Sequence, residues 1–240
     1  MTSLPAALLL DLDGTCIDSE AIWEQVERRY VESHGGVLTP DMRRIMVGAP
    51  MWLTVRTIAE AVGQDIDEQA VDNELVTGVA GHMRTQGVPW IPGVRELMAR
   101  MHEGGVPIGL VTASNSRVAT VVAKSAAGYG VPFTVMVTGS DPVATKPDPA
   151  PYVEAARRLG VPIGQCVAVE DSVTGATSAS ASGAHTVVIP RFVDIEALPG
   201  VSRLRSVEDL TDEVVARLCE GEIIDHFGGE RALAPLAIRS

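Results

Sequence analysis

Five short apolar runs, each closed by a polar or charged turn, constrain the fold of this chain more than any other feature. The first, Ala6-Ala7-Leu8-Leu9-Leu10, stops at Asp11. A strand with one wet face alternates apolar and polar residues, so an unbroken run of this length reads as a strand covered on both faces. Pro107 to Val111, Thr134 to Val137, Cys166 to Val169 and Thr186 to Ile189 repeat the pattern. Helix-length segments with i, i+3, i+4 apolar spacing separate them, among them Val94 to Met101 and Tyr152 to Leu159. This repetition predicts an α/β fold, a parallel sheet with helices on both faces. In such sheets ligands bind beyond the carboxyl ends of the strands, so chemistry is expected just after each run.

One region breaks the alternation. Between Ser19 and about Val88 the pattern is helical only: Glu20 to His34, Pro40 to Val47, Trp52 to Val62 and Asp67 to Thr85. Gly35-Gly36, Gly48-Ala49-Pro50 and Gly63 read as the stops between these helices. An all-helical insertion follows, entered after the first strand and left through Gly87-Val88-Pro89 and Ile91-Pro92-Gly93. Gly221 to Ser240 has no clear period and reads as a C-terminal tail, either packed on the core or mobile.

A net charge of −12 with no basic run argues against nucleic acid as a partner. No stretch reaches the roughly 18 apolar residues of a membrane span, and the run ending at Leu10 lacks the cation and length of a signal peptide. Cys16, Cys166 and Cys219 form no CxxC pair, which suits a reducing compartment, and a cytoplasmic location is expected. Only Lys124 and Lys146 are lysines, so the position of each is informative.

Four strand ends carry candidate chemistry. Asp11-Leu12-Asp13-Gly14-Thr15 offers two carboxylates that can converge on a cation and a phosphate, although an Asx turn has the same pattern. Thr112-Ala113-Ser114-Asn115 offers a hydroxyl and backbone amides ahead of a helix, an oxyanion cradle or a plain N-cap. Lys146-Pro147-Asp148-Pro149 places a rare lysine in a rigid turn, to neutralise phosphate or simply to lie in solvent. Glu170-Asp171-Ser172 puts two acids beside the first pair, and like charges so close call for a cation between them. Magnesium suits an all-oxygen set. Gly139-Ser140 reads as a turn.

In this order, Asp-x-Asp, Thr/Ser, Lys-Pro and Glu-Asp, the chain resembles the haloacid dehalogenase-like hydrolases across roughly residues 4 to 218. Asp11 to Glu20, Ile91-Pro92-Gly93-Val94-Arg95 and Val169 to Gly175 carry the likeness, which is greatest to sugar-phosphate phosphatases, phosphoglycolate phosphatases and beta-phosphoglucomutases. The resemblance implies a Rossmann-like catalytic core from residues 1–17 and 88–220, a helical cap from 18–87, and a tail from 221–240. It implies Asp11 as nucleophile, Asp13 as general acid and base, and Thr112 with the amides of Ala113 and Ser114 around the phosphoryl group. Lys146 would span phosphate and Asp11. Mg2+ would be held by Asp11, Asp171 and the Asp13 carbonyl, with Glu170 acting through water or orienting the others.

Departures narrow the chemistry that the resemblance allows. Asp13 speaks against a dehalogenase, whose leaving halide needs no proton, and the absence of lysine from 18–87 speaks against a phosphonate hydrolase. Trp23 stands where a mutase has histidine, and Gly48-Ala49-Pro50-Met51 has no cation, so hydrolysis is favoured over mutase action. A non-catalytic binding protein would need a broken motif, and none is broken. Glu20, Trp23, Arg43, Arg44, Trp52 and Arg56 are the candidate cap residues for substrate, with Glu20, Trp23 and Trp52 foremost; packing or a solvated face is the alternative for each tryptophan and arginine. His34, His82 and His102 are read as structural. The expected partner is a small phosphorylated metabolite, best a sugar or polyol monophosphate, with no membrane or nucleic acid and with the oligomeric state left open.

Overall fold

The computed structural model describes residues 3–47, 51–63 and 66–230. It divides into two compact units, Met1–Asp18 with Trp90–Ser240, and Ser19–Pro89. The expected stop Gly48-Ala49-Pro50 lies outside the described residues.

In chain order the elements are β1 (Ala7–Leu10), α1 (Glu20–Ser33), α2 (Pro40–Met46), α3 (Met51–Val62), α4 (Glu68–Gln86), α5 (Val94–Glu103), β2 (Ile108–Val111), α6 (Ser116–Gly128), β3 (Val135–Val137), α7 (Ala150–Leu159), β4 (Cys166–Glu170), α8 (Val173–Ser182), β5 (His185–Val188), β6 (Val201–Arg203) and α9 (Asp212–Cys219). The strands form one sheet in the order β3-β2-β1-β4-β5-β6, parallel at every pairing. β1 lies between β2 and β4, with Leu10 opposite Leu110 and Val169. The ends of these three strands, where chemistry was expected, are therefore neighbours.

Side chains alternate across the sheet, and both faces are covered. On one, Ala7, Leu9, Val111, Cys166 and Ala168 pack with Tyr152, Ala155 and Ala156 of α7 and Ala179 of α8. On the other, Leu8, Leu10, Ile108, Leu110, Val167 and Val169 are each at most 1% exposed, and α5 and α9 contact this sheet at β2 and β4. At about 1.5–3 kcal/mol for each large apolar side chain buried, these central strands contribute heavily to holding the unit together.

β6 is absent from the sequence reading, and the described part of the segment after α9 packs against it. Arg203 is 1% exposed inside β6. Its charge broke the apolar pattern that identifies a buried strand, but here the guanidinium meets Asp225 at 2.7 Å and the Glu230 carbonyl at 2.6 Å. The backbone of 224–226 lies alongside, with Arg203 N donating to Ile224 O and His226 N to Arg203 O. Residues 221–230 are thus tied to the sheet edge by a buried, paired cation.

In the second unit, Tyr30, Val31, Leu38, Met46, Val55, Ile58, Val71 and Leu75 form a core among α1 to α4, with Trp23 packed against it. Gly78 of α4 lets α1 approach, since a Cβ there would lie 2.7 Å from Val26 Cγ1. The Tyr30 and His34 rings stack at 4.2 Å, and His34 Nδ1 lies 2.9 Å from the Tyr30 carbonyl, in keeping with a structural histidine.

Candidate active site

Asp11 follows β1 directly, its amide donating to Val169 O at 3.1 Å. The next residues turn sharply because Gly14 holds φ at +85°, which a side chain rarely tolerates. Space also requires glycine here, since a Cβ would come within 2.0 Å of Asp171 Oδ2. The turn after β1 and the acid after β4 therefore fit together only around Gly14.

Lys146 is the centre of the charged cluster. Its Nζ donates to Asp11 Oδ1 at 2.6 Å, to Glu170 Oε1 at 2.5 Å and to the Val111 carbonyl at 2.8 Å, which employs all three ammonium protons. The three acceptors come from the ends of β1, β4 and β2. The Lys146 side chain is 6% exposed. Burial works against its charge, but Asp11 and Glu170 outweigh that and lift the ammonium above its ordinary value. The solvated-loop alternative is therefore set aside.

Glu170 shares its sheet face with Cys166 and Ala168, so its side chain turns toward α7. There Tyr152 OH donates to Oε1 at 2.6 Å, while Oε2 accepts the Asp171 amide at 3.3 Å. Gly175 in α8 leaves room for this carboxylate, since a Cβ would lie 1.9 Å from Oε2. Ser172 caps α8 by accepting the Gly175 amide at 3.1 Å.

One oxygen from each of Asp11, Glu170 and Asp171 lies within 4.8 Å of the other two, and all three residues are buried. Burial pushes the Asp11 carboxyl up to about 7, Glu170 adding to the effect and Lys146 opposing it. Burial, then Asp11 and Glu170, hold Asp171 well above the usual carboxylate range. Three buried acids against one lysine leave negative charge uncompensated. An all-oxygen donor set of this charge fits a hard metal ion.

A second group lies at the end of β2. Thr112 is 4% exposed, and its Oγ1 accepts the Ser114 amide at 2.9 Å. The Ser114 hydroxyl donates to Asp13 Oδ2 at 2.5 Å. Of the two amides expected to face a phosphoryl group, that of Ser114 is thus engaged within its own loop. Gly139 does more than turn the chain: a Cβ there would lie 2.1 Å from the Ala113 carbonyl, and its amide donates to Ser114 O at 2.9 Å. A cavity of about 10 Å³, room for one water, lies among Thr112, Ala113, Thr138 and Lys146.

The candidate cap residues lie in the other unit. Arg43 is not on a solvated face: it pairs with Glu20, with Glu24 at 3.5 Å and with Glu27 at 3.1 Å. Arg44 and Arg56 are exposed and pair with Asp41 and Glu60. Trp52 is 64% exposed, whereas Trp23 packs on the helical core.

Sequence reasoning gave no role to the Tyr152 hydroxyl, to the missing side chain at Gly175 or to the Asp18–Arg191 ion pair. Tyr152 had one usable signal, a hydroxyl-bearing residue on the apolar face of a helix that starts just after Lys146. A buried Tyr hydroxyl needs a partner.

Asp-x-Asp, Thr, Lys and Glu-Asp thus come together at adjacent carboxyl ends of a parallel sheet, and comparison with known proteins agrees. The family model of haloacid dehalogenase-like hydrolases matches residues 5–183, and the chain belongs to that family. It is 30% identical to hexitol phosphatase A of Escherichia coli over 90% of this chain and 96% of that protein. It is 29% identical to validoxylamine A 7'-phosphate phosphatase of Streptomyces hygroscopicus, over 85% of this chain and 93% of that one. In structure it resembles CbbY of Rhodobacter sphaeroides, crystallised with phosphate, with a TM-score of 0.74 at 22% identity over 86% of this chain and 96% of that chain. Among the described residues no helix is long and apolar enough to cross a membrane.

Proposed function

We propose that this chain is a magnesium-dependent phosphomonoester hydrolase acting on a small phosphorylated metabolite, a sugar or polyol phosphate, through an aspartyl-phosphate on Asp11. The observation that carries this reading is the buried Asp11–Lys146–Glu170 cluster with Asp171 beside it and Asp13 two residues from the nucleophile. Relatives named for hexitol and validoxylamine phosphates support the substrate class.

Asp11, Asp171 and the Asp13 carbonyl would hold Mg2+, with Glu170 orienting the group through Lys146 rather than binding directly. The bound cation would supply charge neutralisation for phosphate and carboxylates alike. Asp11 attacks phosphorus in line, its Oδ–P bond forming as the P–O bond to the leaving alkoxide breaks. Asp13 gives its proton to that alkoxide. It then takes a proton from water as the water oxygen attacks phosphorus and the Asp11–phosphorus bond breaks, which returns Asp11 as a carboxylate. Lys146 balances charge on Asp11 and the phosphoryl oxygens, and the Thr112 hydroxyl with the Ala113 amide borders the phosphoryl group, the Ser114 amide being held by Thr112 Oγ1.

Residues 1–17 and 88–220 are read as the catalytic core, 18–87 as the cap, with Glu20, Trp23 and Trp52 choosing the substrate. Three unpaired cysteines support a cytoplasmic location. The test is phosphate release from a panel of sugar, polyol and short-acid monophosphates, with and without magnesium, for wild type and Asp11→Asn. Magnesium-dependent release lost in Asp11→Asn is expected; no release from any member would end the reading. Product analysis with a sugar 1-phosphate and a bisphosphate primer separates hydrolysis from mutase action.

A further inference from the structure

We propose that Ser114 is a positioning residue for Asp13, fixing which carboxyl oxygen faces the leaving group. The inference rests on the phosphatase reading above and assigns the Ser114 side chain a role apart from the phosphoryl cradle.

Ser114 is held at both backbone polar groups, its amide donating to Thr112 Oγ1 at 2.9 Å and its carbonyl accepting the Gly139 amide at 2.9 Å. The close approach of Gly139 to the Ala113 carbonyl, where a Cβ would sit at 2.1 Å, keeps this loop against the 138–141 turn. That turn is itself anchored, since Asp141 Oδ2 accepts both the amide and the hydroxyl of Thr138 at 2.8 Å and Asp141 Oδ1 accepts from Arg158 at 2.7 Å. The hydroxyl of Ser114 therefore has a fixed origin, and it ends on Asp13 Oδ2 at 2.5 Å. Asp13 starts the Gly14 turn, whose own tie is the Gly14 amide to Ile17 O at 2.9 Å.

A carboxylic acid carries its proton on one oxygen. An O–H donated to Oδ2 disfavours a proton there and assigns the transferable proton to Oδ1. Loss of that donor widens the spread of the carboxyl about its Cβ–Cγ bond, whose preferences are broad, and the proton is misplaced for more of the time. General-acid catalysis contributes about 10²–10⁴-fold, but only where the leaving oxygen needs a proton. Loss of the Ser114 hydroxyl should therefore be selective for poor leaving groups.

The test is kcat/KM, which reports the steps up to formation of the aspartyl-phosphate, for an alkyl phosphate from the panel and for 4-nitrophenyl phosphate, whose phenolate leaves unprotonated. Ser114→Ala is expected to lower the alkyl value about 30-fold or more and the aryl value by less than about fivefold. Ser114→Thr, which keeps the hydroxyl, is expected to restore most of the alkyl activity. Equal falls for both substrates overturn the proposal, and equal falls with weaker inhibition by inorganic phosphate place the hydroxyl in the phosphate cradle instead. If Ser114→Ala does not fold, Ser114→Cys replaces it, and the same ratio of alkyl to aryl losses decides. Wild-type protein that hydrolyses neither substrate removes the phosphatase reading itself, whereas an active wild type with substrate-independent losses removes only the role of Ser114.

Discussion

The Tyr152 hydroxyl donates to the same oxygen of Glu170, Oε1, that receives the Lys146 ammonium. One carboxylate oxygen thus joins α7, β4 and the Lys146 turn, with the Lys146 ammonium 5.3 Å from the centre of the Tyr152 ring. Tyr152→Phe keeps the ring and removes one bond to a buried carboxylate. A hydrogen bond to a charged group is worth about 1.5–3 kcal/mol, so the denaturation midpoint should fall by a corresponding amount. Urea unfolding measured alongside phosphate release checks this; activity should fall together with the midpoint, and an unchanged midpoint would show that the bond contributes nothing to the fold.

Gly175 supplies a second check on how Glu170 is seated. A Cβ at Gly175 would lie 1.9 to 2.2 Å from three atoms of that carboxylate, so Gly175→Ala must push Glu170 away from Lys146. Gly128, exposed at the end of α6 with nothing within 4 Å of the same added carbon, is the control. In a helix alanine gains about 0.8–1.0 kcal/mol over glycine. Gly128→Ala should be neutral to stabilising in thermal unfolding, and Gly175→Ala should destabilise despite its better helix propensity and lose phosphatase activity.

Residues whose environment is local were legible in the sequence, and those matched to a distant partner were not. Leu8 to Leu10 announce a buried strand through composition alone, and Asp11, Thr112 and Glu170-Asp171 follow from where such runs end. Val201-Ser202-Arg203 did not read as a strand because Arg203 is neutral to the fold only beside Asp225, 22 residues on. The periodicity of α7 places Tyr152 on the apolar face, but its hydroxyl is explained only by Glu170, 18 residues later. Arg43 follows the same rule: arginine on a helix usually lies in solvent, and only three facing glutamates hold it at 12% side-chain exposure.

That network has a pH signature. Burial pushes Glu27 up to about 7, Arg43 opposing it and Glu20 and Glu24 adding to it. Between the unfolded value near 4.5 and about 7, the folded protein holds a proton that the unfolded chain has lost. Stability from this group is therefore full below about pH 4.5 and declines as pH rises toward 7. At 1.36 kcal/mol per unit, the decline is of order 3 kcal/mol. Glu27→Gln should flatten the fall in unfolding midpoint between pH 5 and 7, and a variant with the wild-type slope would refute the assignment.

Metal removal should act through Asp11 and Asp171. Burial raises both carboxyls, Asp11 to about 7 and Asp171 well above its ordinary value. A raised folded value stabilises at low pH and ceases to do so as pH climbs through it, so the metal-free protein should lose stability from pH 5 to pH 8. Magnesium bound at the proposed site would relieve the repulsion, and binding to the folded state alone would stabilise it by RT ln(1 + [L]/Kd). The rise in melting temperature on adding magnesium should therefore be larger at pH 8 than at pH 5. Asp171→Asn deletes one buried charge. Breaking a buried cluster usually destabilises, but here the charge removed is in excess over Lys146, so the metal-free variant should melt higher than metal-free wild type at pH 8 and show no shift with magnesium. Calorimetry in chelator and in magnesium at both pH values decides it; an Asp171→Asn protein that melts lower at pH 8 and still responds to magnesium would move the cation away from Asp171.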